Sequence, residues 1–349
     1  MQLNKPSRKK PAFPISADLL KYLKHYGRLT DLPLQYDDMG RSMARIPLLD
    51  RNGNDTFWET IYYHDYELED IHYNLCVIYA VLKYDGNLDM IKHLSVSRID
   101  FCRFGNTNPY RIRIINKFND NYDHFYIKKV DASRVYGLEL EDILSPNRVT
   151  YLLNEKTLIE EHIAGIPGDV FTENNLNVSK FDQIRIAKEF IKFNERCFIR
   201  LLGDMRSYNY IVDITPDIEG MQYRIRAIDF DQQSFESRKT FYLPQYFKEN
   251  NAIILLGLKY LTHETVKQYQ HEEHTNIARR AKESMAKLEA LLDLMEKDQL
   301  SFQDKIEQLR SELATHHKYE AFNSCENMGQ LVRTNIKLLL QKEFIQGVN

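Results

Sequence analysis

The sequence predicts an α+β fold in which a small antiparallel sheet is followed by a mainly helical region. Between Ser95 and Ile163 the apolar residues recur at the short period of strands, with one helical interruption, whereas beyond Gly168 they recur at helical spacing. The Gly- and Pro-containing residues 165–168 separate these two regions. At 349 residues and 43% hydrophobic content, the chain is long enough for two lobes with a sizeable core.

Residues 1–94 are expected to form an extension in front of the strands, and we predict that it is mainly helical. Residues 15–27 have helical periodicity behind Ser16, a candidate N-cap, and residues 66–83 repeat apolar positions at helical spacing. Residues 31–56 are interrupted by Pro and Gly and are expected to be loops.

Five strands and one helix are predicted in residues 95–163, the expected first lobe; residues 164–349 are the expected helical lobe. The strands are predicted over 96–104, 110–116, 124–130, 149–153 and 157–163, and the helix over 132–144.

Composition limits the classes of partner. The net charge of −3 argues against non-specific nucleic-acid binding, and no apolar run reaches the roughly 18 residues of a membrane span. Residues 1–14 are basic without an apolar run and are expected to be a frayed arm. The four scattered cysteines indicate reduced thiols, so we expect a cytoplasmic protein; they are Cys76, Cys102, Cys197 and Cys325.

Two short segments carry the candidate catalytic residues. Asp204 is followed five residues later by Asn209, and Asp229 ends an apolar, strand-like run twenty residues further on. Phosphoryl transfer needs positioning, magnesium and a carboxylate that orients the acceptor hydroxyl, and Mg²⁺ prefers oxygen ligands. The pair therefore predicts Asp204 as the catalytic base and Asn209 and Asp229 as metal ligands.

These segments resemble the protein-kinase-like superfamily, closest to its aminoglycoside and choline phosphotransferase branch. In that branch the catalytic loop reads His-Gly-Asp-x4-Asn; here residues 202–209 read Leu-Gly-Asp-Met-Arg-Ser-Tyr-Asn, and residues 227–231 read Ala-Ile-Asp-Phe-Asp. The resemblance covers roughly residues 95–265 and implies a two-lobed protein-kinase-like fold with ATP and Mg²⁺ as cofactors. Leu202 departs from the pattern, because the family has a histidine there that holds the loop.

The resemblance also implies residues that position the nucleotide phosphates. Lys128, at the end of Phe-Tyr-Ile-Lys, resembles the lysine of the Val-Ala-Ile-Lys pattern and is preferred to its neighbour Lys129. Its partner is expected on the following helix, where Glu139 is preferred to Glu141. These two point about 200° apart on a helix, so only one can face the lysine.

Two further segments are implied as nucleotide contacts. Residues 160–163 are expected to link the lobes, with the backbone groups of Glu161 and Ile163 facing adenine. Gly105 lies in the loop between the first two strands of the lobe, where backbone N–H groups can meet the phosphates.

The expected function is an ATP-dependent kinase-like transferase that moves the γ-phosphoryl group to a hydroxyl of a small-molecule acceptor. One alternative is a nucleotide-binding pseudokinase that contacts a protein partner through its C-terminal helices, where residues 281–313 are highly charged with an apolar stripe. Another is an atypical protein kinase, although no Ala-Pro-Glu-like anchor follows Asp229. Residues 271–274 (His-Glu-Glu-His) lack the spacing of a zinc hydrolase and indicate a solvated helix face.

Overall fold

The computed structural model is α+β and describes residues 10–346 except Arg51, Glu155 and Glu219; side chains from residue 343 onward are not described. The chain divides into two compact units. The first runs to Asp131 and also takes in Val149–His162, and the second comprises Ala132–Arg148 and the chain from Ile163 onward.

The first unit is built on a seven-stranded antiparallel sheet in the order β1-β2-β3-β4-β5-β7-β6. Its strands are β1 (Ala44–Leu49), β2 (Asp55–Tyr62), β3 (Leu94–Cys102), β4 (Tyr110–Asn116), β5 (Tyr122–Lys129), β6 (Tyr151–Asn154) and β7 (Thr157–Glu161). Its helices are α1 (Ala17–His25) and α2 (Asp65–Lys83), with short 3₁₀ helices at Tyr36–Gly40 and Leu88–His93.

Alternation along the strands creates the core of this unit. On β4, Tyr110, Ile112 and Ile114 are buried while the residues between them are less so, as expected when every second side chain faces the core. They share one apolar cluster with Leu75 and Ile78 of α2. The strands predicted over residues 96–163 are confirmed, with their ends shifted by a few residues. The predicted N-cap of α1 is also confirmed, because the Ser16 side chain accepts a hydrogen bond from the Leu19 N–H.

The extension contains more helix than strand, but it also contributes the β1–β2 hairpin to the sheet. Residues 31–56 were expected to be loops; instead β1 pairs with β2, and β2 pairs with β3. The Asn52-Gly53 pair, a strong hairpin signal, lies at the turn. Pro47 is tolerated in β1 because this is an edge strand with one neighbour.

The chain is anchored from Lys10 onward. Lys5, Arg8 and Lys9 of the predicted basic arm lie outside the described residues. Lys10 itself is buried, and its Nζ donates to Asp131 Oδ2 at 2.5 Å, while the Phe13 N–H donates to Asp131 Oδ1 at 3.0 Å. Residues 10–14 are therefore not frayed, because a buried carboxylate holds them.

The second unit combines a three-stranded antiparallel sheet, in the order β10-β9-β8, with eight α-helices over its described residues. The helices are α3 (Ala132–Leu144), α4 (Gly168–Asn174), α5 (Lys180–Arg200), α6 (Asn251–Tyr260), α7 (His263–Glu283), α8 (Met285–Met295), α9 (Gln303–His317) and α10 (Met328–Gln346). The strands are β8 (Ile166–Pro167), β9 (Tyr210–Asp217) and β10 (Gly220–Ala227), and 3₁₀ helices lie at Ser207–Asn209, Lys239–Tyr242, Pro244–Tyr246, Lys248–Asn250 and Glu320–Ser324.

Helix α5 is central to this unit, since it packs against α6, α7, α10 and β10. The Ser179 side chain caps its N-terminus by accepting from the Asp182 N–H, and Phe190, Phe193 and Cys197 are buried along it. The apolar stripe of α8, including Leu288, is buried within the unit. No helix in the described part of the chain is both long and apolar enough to cross a bilayer.

Candidate active site

The loop after α5 is held by backbone hydrogen bonds to the segment that follows β10. Helix α5 ends where Leu201 adopts a left-handed conformation with φ 54°. Leu202 forms an isolated antiparallel bridge with Gln233, and the Gly203 N–H donates to the Gln232 carbonyl at 3.2 Å. Leu202 is fully buried. A buried apolar side chain therefore occupies position 202, and the backbone bridge to Gln233 holds the loop.

Close packing at Gly203 explains why this residue has no side chain. A Cβ atom there would lie 2.9 Å from Phe241 Cδ1 and 3.1 Å from the Gln232 carbonyl oxygen. The next N–H, that of Asp204, donates to the Phe241 carbonyl at 3.1 Å. The segment around Phe241 thus fixes the position of Asp204.

Asp204 and Asn209 are brought together, and the strand end before Asp229 joins them. The Asn209 Nδ2 donates to the Asp204 carbonyl at 2.7 Å, and the Ile228 N–H donates to the Asn209 carbonyl at 3.1 Å. Asp204 has φ 60°, a left-handed conformation that is uncommon outside glycine and concentrates at functional sites.

Asp204 lies in an environment that favours its protonated form. Burial raises the pKa of Asp204 to about 6; Arg206, whose Nε donates to Oδ1 at 2.8 Å, opposes this, while the charges of Asp229 and Glu249 add to it. Arg206 Nη1 also donates to Glu249 Oε1 at 2.8 Å. The Arg206 guanidinium is therefore hydrogen-bonded to the carboxylates of both Asp204 and Glu249.

Arg134 of α3 holds Asp229 in the same way. Its Nη1 donates to Asp229 Oδ1 and to Asp231 Oδ1, both at 2.8 Å, and its Nη2 donates to the Ile228 carbonyl at 3.2 Å. The side chains of Arg134 and Asp231 are 2% and 6% exposed, whereas that of Asp229 is 34% exposed. Asp229 is thus fixed at one oxygen and reachable from solvent.

The donor set fits magnesium better than a transition metal. No group of three or more His, Cys, Asp or Glu side chains in the described residues is arranged to hold a metal ion. Mg²⁺ does not need such a group, since one or two carboxylates with phosphate and water oxygens suffice. Asn209 directs its amide nitrogen at Asp204, so its Oδ1 is the side-chain atom that could bind a metal ion.

The two lysines considered on β5 differ in burial. Lys128 is 8% exposed, and its Nζ donates to Glu160 Oε2 at 2.7 Å. Lys129 is exposed. The pairing of Lys128 with Glu160 was missed from the sequence, although Glu160 already lay in the segment expected to link the lobes.

Glu139 and Glu141 are both buried in the second unit. Glu139 Oε2 lies 3.0 Å from Lys287 Nζ, and Glu141 pairs with Arg200. The expected pairing of Glu139 with a lysine of β5 stays a prediction.

The Gly105 loop is braced by the extension. A Cβ atom on Gly105 would lie 2.5 Å from Pro109 Cδ, so the turn requires glycine. The Phe104 ring packs on the Phe57 ring with centroids 4.4 Å apart, and Tyr36 Oη donates to the Asn108 carbonyl at 2.8 Å. Neither contact was predicted, since both partners lie in the extension.

Glu161 and Ile163 flank the point where the chain leaves the first unit, which ends at His162. The Glu161 N–H donates to the Thr150 carbonyl at 3.0 Å. This N–H is therefore engaged in the protein, and an adenine contact would fall to other backbone groups of the segment.

No protein-family model matches the sequence, and no curated protein is significantly similar to it. Among solved structures, the chain is similar to one described as the crystal structure of a Rad53 kinase domain and SCD2, with 14% identity and a TM-score of 0.24. That match covers 46% of this chain and 67% of the other. A TM-score of this size carries no argument about fold or activity.

Proposed function

We propose that this chain is an ATP-dependent phosphotransferase with a kinase-like fold, which moves the γ-phosphoryl group to a hydroxyl of a small molecule. The order of elements expected from the resemblance supports the fold: three strands, a helix and two strands precede the Asp204 loop. The aminoglycoside and choline phosphotransferase branch remains the proposed relationship, on the Gly203-Asp204 and Asn209 positions.

The cluster of carboxylates around Asp204 carries the proposal. Two guanidinium groups each bind two carboxylates there, which places four acidic side chains close together. The arginines are Arg134 and Arg206, and the carboxylates belong to Asp204, Asp229, Asp231 and Glu249. Such a cluster would attract a divalent cation, and oxygen-only ligands favour Mg²⁺.

Asp204 is suited to act as the base. With a pKa of about 6, it is mostly ionised at neutral pH and still close enough to the working pH to accept a proton. Its fixed backbone would orient the acceptor hydroxyl towards the phosphoryl group. We expect transfer to decline below pH about 6, as Asp204 becomes protonated.

Asn209 and Asp229 would hold magnesium, which when bound neutralises charge on the nucleotide phosphates. In the first unit, Lys128 would bind the phosphates, and Gly105 would allow the backbone to approach them. The hydrogen bond to Glu160 positions the Lys128 ammonium group.

One observation favours a nucleotide-binding pseudokinase instead. The Arg134 guanidinium already bonds to one oxygen of Asp229, so a metal ion must share this carboxylate with a fixed cation. Nucleotide binding without transfer would then leave the C-terminal helices as the functional surface.

Phosphoryl transfer from γ-labelled ATP to a pool of hydroxyl-bearing metabolites tests the proposal. We expect magnesium-dependent transfer by the wild type and a loss of roughly 10²–10⁴-fold in the Asp204→Asn variant, the usual contribution of a general base. Asp213→Asn, on β9 and outside the site, is the matched control and should keep full activity.

Nucleotide binding is measured separately by thermal shift with ATP, with and without Mg²⁺. Asp204→Asn should still bind Mg·ATP, whereas Asp229→Asn should lose the magnesium-dependent part of the shift. Full activity in both variants would contradict the proposal, and binding without transfer to any metabolite would favour the pseudokinase.

A further inference from the structure

The second unit contains a cavity of about 290 Å³ away from the Asp204 carboxylate cluster. It is bounded by the C-terminal part of α5, the segment 239–246, α7, the end of α9, and α10. Its apolar wall consists of Phe198, Ile199, Leu243, Leu338 and Leu339. The volume is at the lower end of pockets that hold small organic ligands.

The polar part of the wall carries excess positive charge. Lys239 and Lys342 both line the cavity, and neither forms an ion pair with any described residue. The carboxylate of the wall, Glu195, is already engaged at both oxygens, by Gln270 Nε2 at 2.7 Å and by His274 Nε2 at 2.6 Å. Its negative charge offsets one of the two lysines, so the lining residues keep one positive charge in excess.

His317 adds a buried polar atom that has no partner. Its ring stacks between Phe198 and Phe322, with centroids 5.6 Å and 5.4 Å away. The Nε2 atom is buried and makes no hydrogen bond to the part of the chain that the structure describes. Burial, with the charges of His316 and Lys342, lowers the pKa of His317 to about 4 despite the opposing effects of the Asn335 side chain and the Glu195 charge, so the ring is neutral near pH 7. A buried polar atom without a partner costs free energy that a ligand atom can recover.

We propose that this cavity is a binding site for a small organic carboxylate. The carboxylate group would lie between Lys239 and Lys342, where charge is unbalanced, and its apolar body would pack on Phe198 and the leucines. An inorganic anion would use the lysines but leave the apolar wall uncovered, and a neutral apolar molecule would leave the lysines unpaired.

The site is connected to the loop after α5 by one short segment. Lys239 and Leu243 line the cavity, and between them the Phe241 carbonyl accepts the Asp204 N–H. A ligand that orders this segment should slow exchange of the Asp204 amide hydrogen. This readout is independent of phosphotransferase activity.

Calorimetric titration of the full chain with phenylacetate tests the proposal, with phenylacetamide as the uncharged control. We expect saturable binding of phenylacetate and at least roughly tenfold weaker binding of the amide, because the amide lacks the charge that the lysines recognise. Lys239→Gln and Lys342→Gln should each weaken phenylacetate binding by a similar factor. Lys337→Gln, exposed on α10 and outside the cavity, should bind like the wild type.

Hexanoate serves as a second probe, so that the shape of the apolar body does not decide the result. If neither carboxylate binds below about 10 mM, a limit near −2.7 kcal/mol, the proposal is overturned. It is also overturned if the amide binds as well as the acid, or if both lysine variants bind like the wild type. Slower exchange at Asp204 in the phenylacetate complex would support it further.

Discussion

Arg134 in the second unit and Lys128 in the first are both buried cations paired with carboxylates, but the exposure of their partners differs. Lys128 forms a salt bridge with Glu160, whose side chain is 4% exposed. Arg134 forms salt bridges with both Asp229 and Asp231, so two carboxylates share one guanidinium. Of these two, Asp229 is the more exposed, at 34%.

This difference indicates which cluster is prepared for a cation. The Glu160 carboxylate is almost closed to solvent, whereas Asp229 is partly exposed beside other carboxylates, where a cation from solvent can reach it. Lys128 would instead have to exchange part of its interaction with Glu160 for a phosphate. We therefore propose that the second unit binds the metal ion and that the first unit binds the phosphates.

The largest effect is expected for Arg134→Ala. Its removal leaves Asp229 and Asp231 without their shared cation, and breaking a buried charge network costs about 4 kcal/mol of unfolding free energy. Denaturant unfolding measures the loss. Arg148→Ala, whose side chain is 82% exposed, is the control and should change stability by less than about 0.5 kcal/mol. If Arg134→Ala lowered the unfolding free energy as little as Arg148→Ala does, Arg134 would not stabilise the fold through this charge network.

Lys128→Met should destabilise the protein by about 3 kcal/mol, because Glu160 is then buried without its cation. The double variant Lys128→Met/Glu160→Gln removes both charges and should regain part of that loss. Unfolding of the single and double variants measures the coupling. Additive effects in this cycle would mean that the two side chains do not stabilise each other.

Asp204→Asn should increase stability by about 1–2 kcal/mol above pH 6. The folded pKa of about 6 exceeds the value of about 3.9 for an unfolded Asp, so wild-type folding weakens as pH rises between these values. The variant does not titrate there, and its advantage should disappear near pH 4. Unfolding free energy across this pH range checks the sign, and a variant less stable at pH 7 would contradict it.

The smallest effect is expected for Tyr36→Phe, which removes one hydrogen bond to the Asn108 carbonyl. The expected loss is about 1 kcal/mol, together with a higher KM for ATP if the Gly105 loop contacts the phosphates. Tyr66→Phe, at an 80% exposed residue, is the control and should leave both quantities unchanged. If Tyr36→Phe lowers stability but leaves the KM for ATP unchanged, the Gly105 loop does not contribute to nucleotide binding.

The parts of the fold predicted from the sequence are those with local signals. The strands after Ser95, the helix over residues 132–144 and the Asp204–Asn209 loop follow from residues near one another in the chain. The β1–β2 hairpin was missed because Pro47 argues against a strand in any position except an edge. The edge position of β1 follows from its pairing with β2 and from the pairing of β2 with β3, which a local pattern does not contain.

The partners of the site residues were missed for a related reason. Arg134 lies 95 positions before Asp229, and Arg206 contacts Glu249 across 43 positions. A charged residue has no spacing signal that identifies so distant a partner. Motifs therefore identified Asp204 and Asp229, whereas the fold was needed to assign Glu249 and the arginines that hold these carboxylates.

The placement of α3 in the second unit sets where the chain can be divided. A fragment starting at Ile163 would contain Asp229, Asp231 and Lys287 but lack residues 132–148, and with them Arg134 and Glu139. No single cut releases the two units intact, because the first unit takes back Val149–His162 after α3. Work on isolated parts of this protein should therefore retain the chain from Ala132. A fragment cut before Ile163 is expected to be unstable.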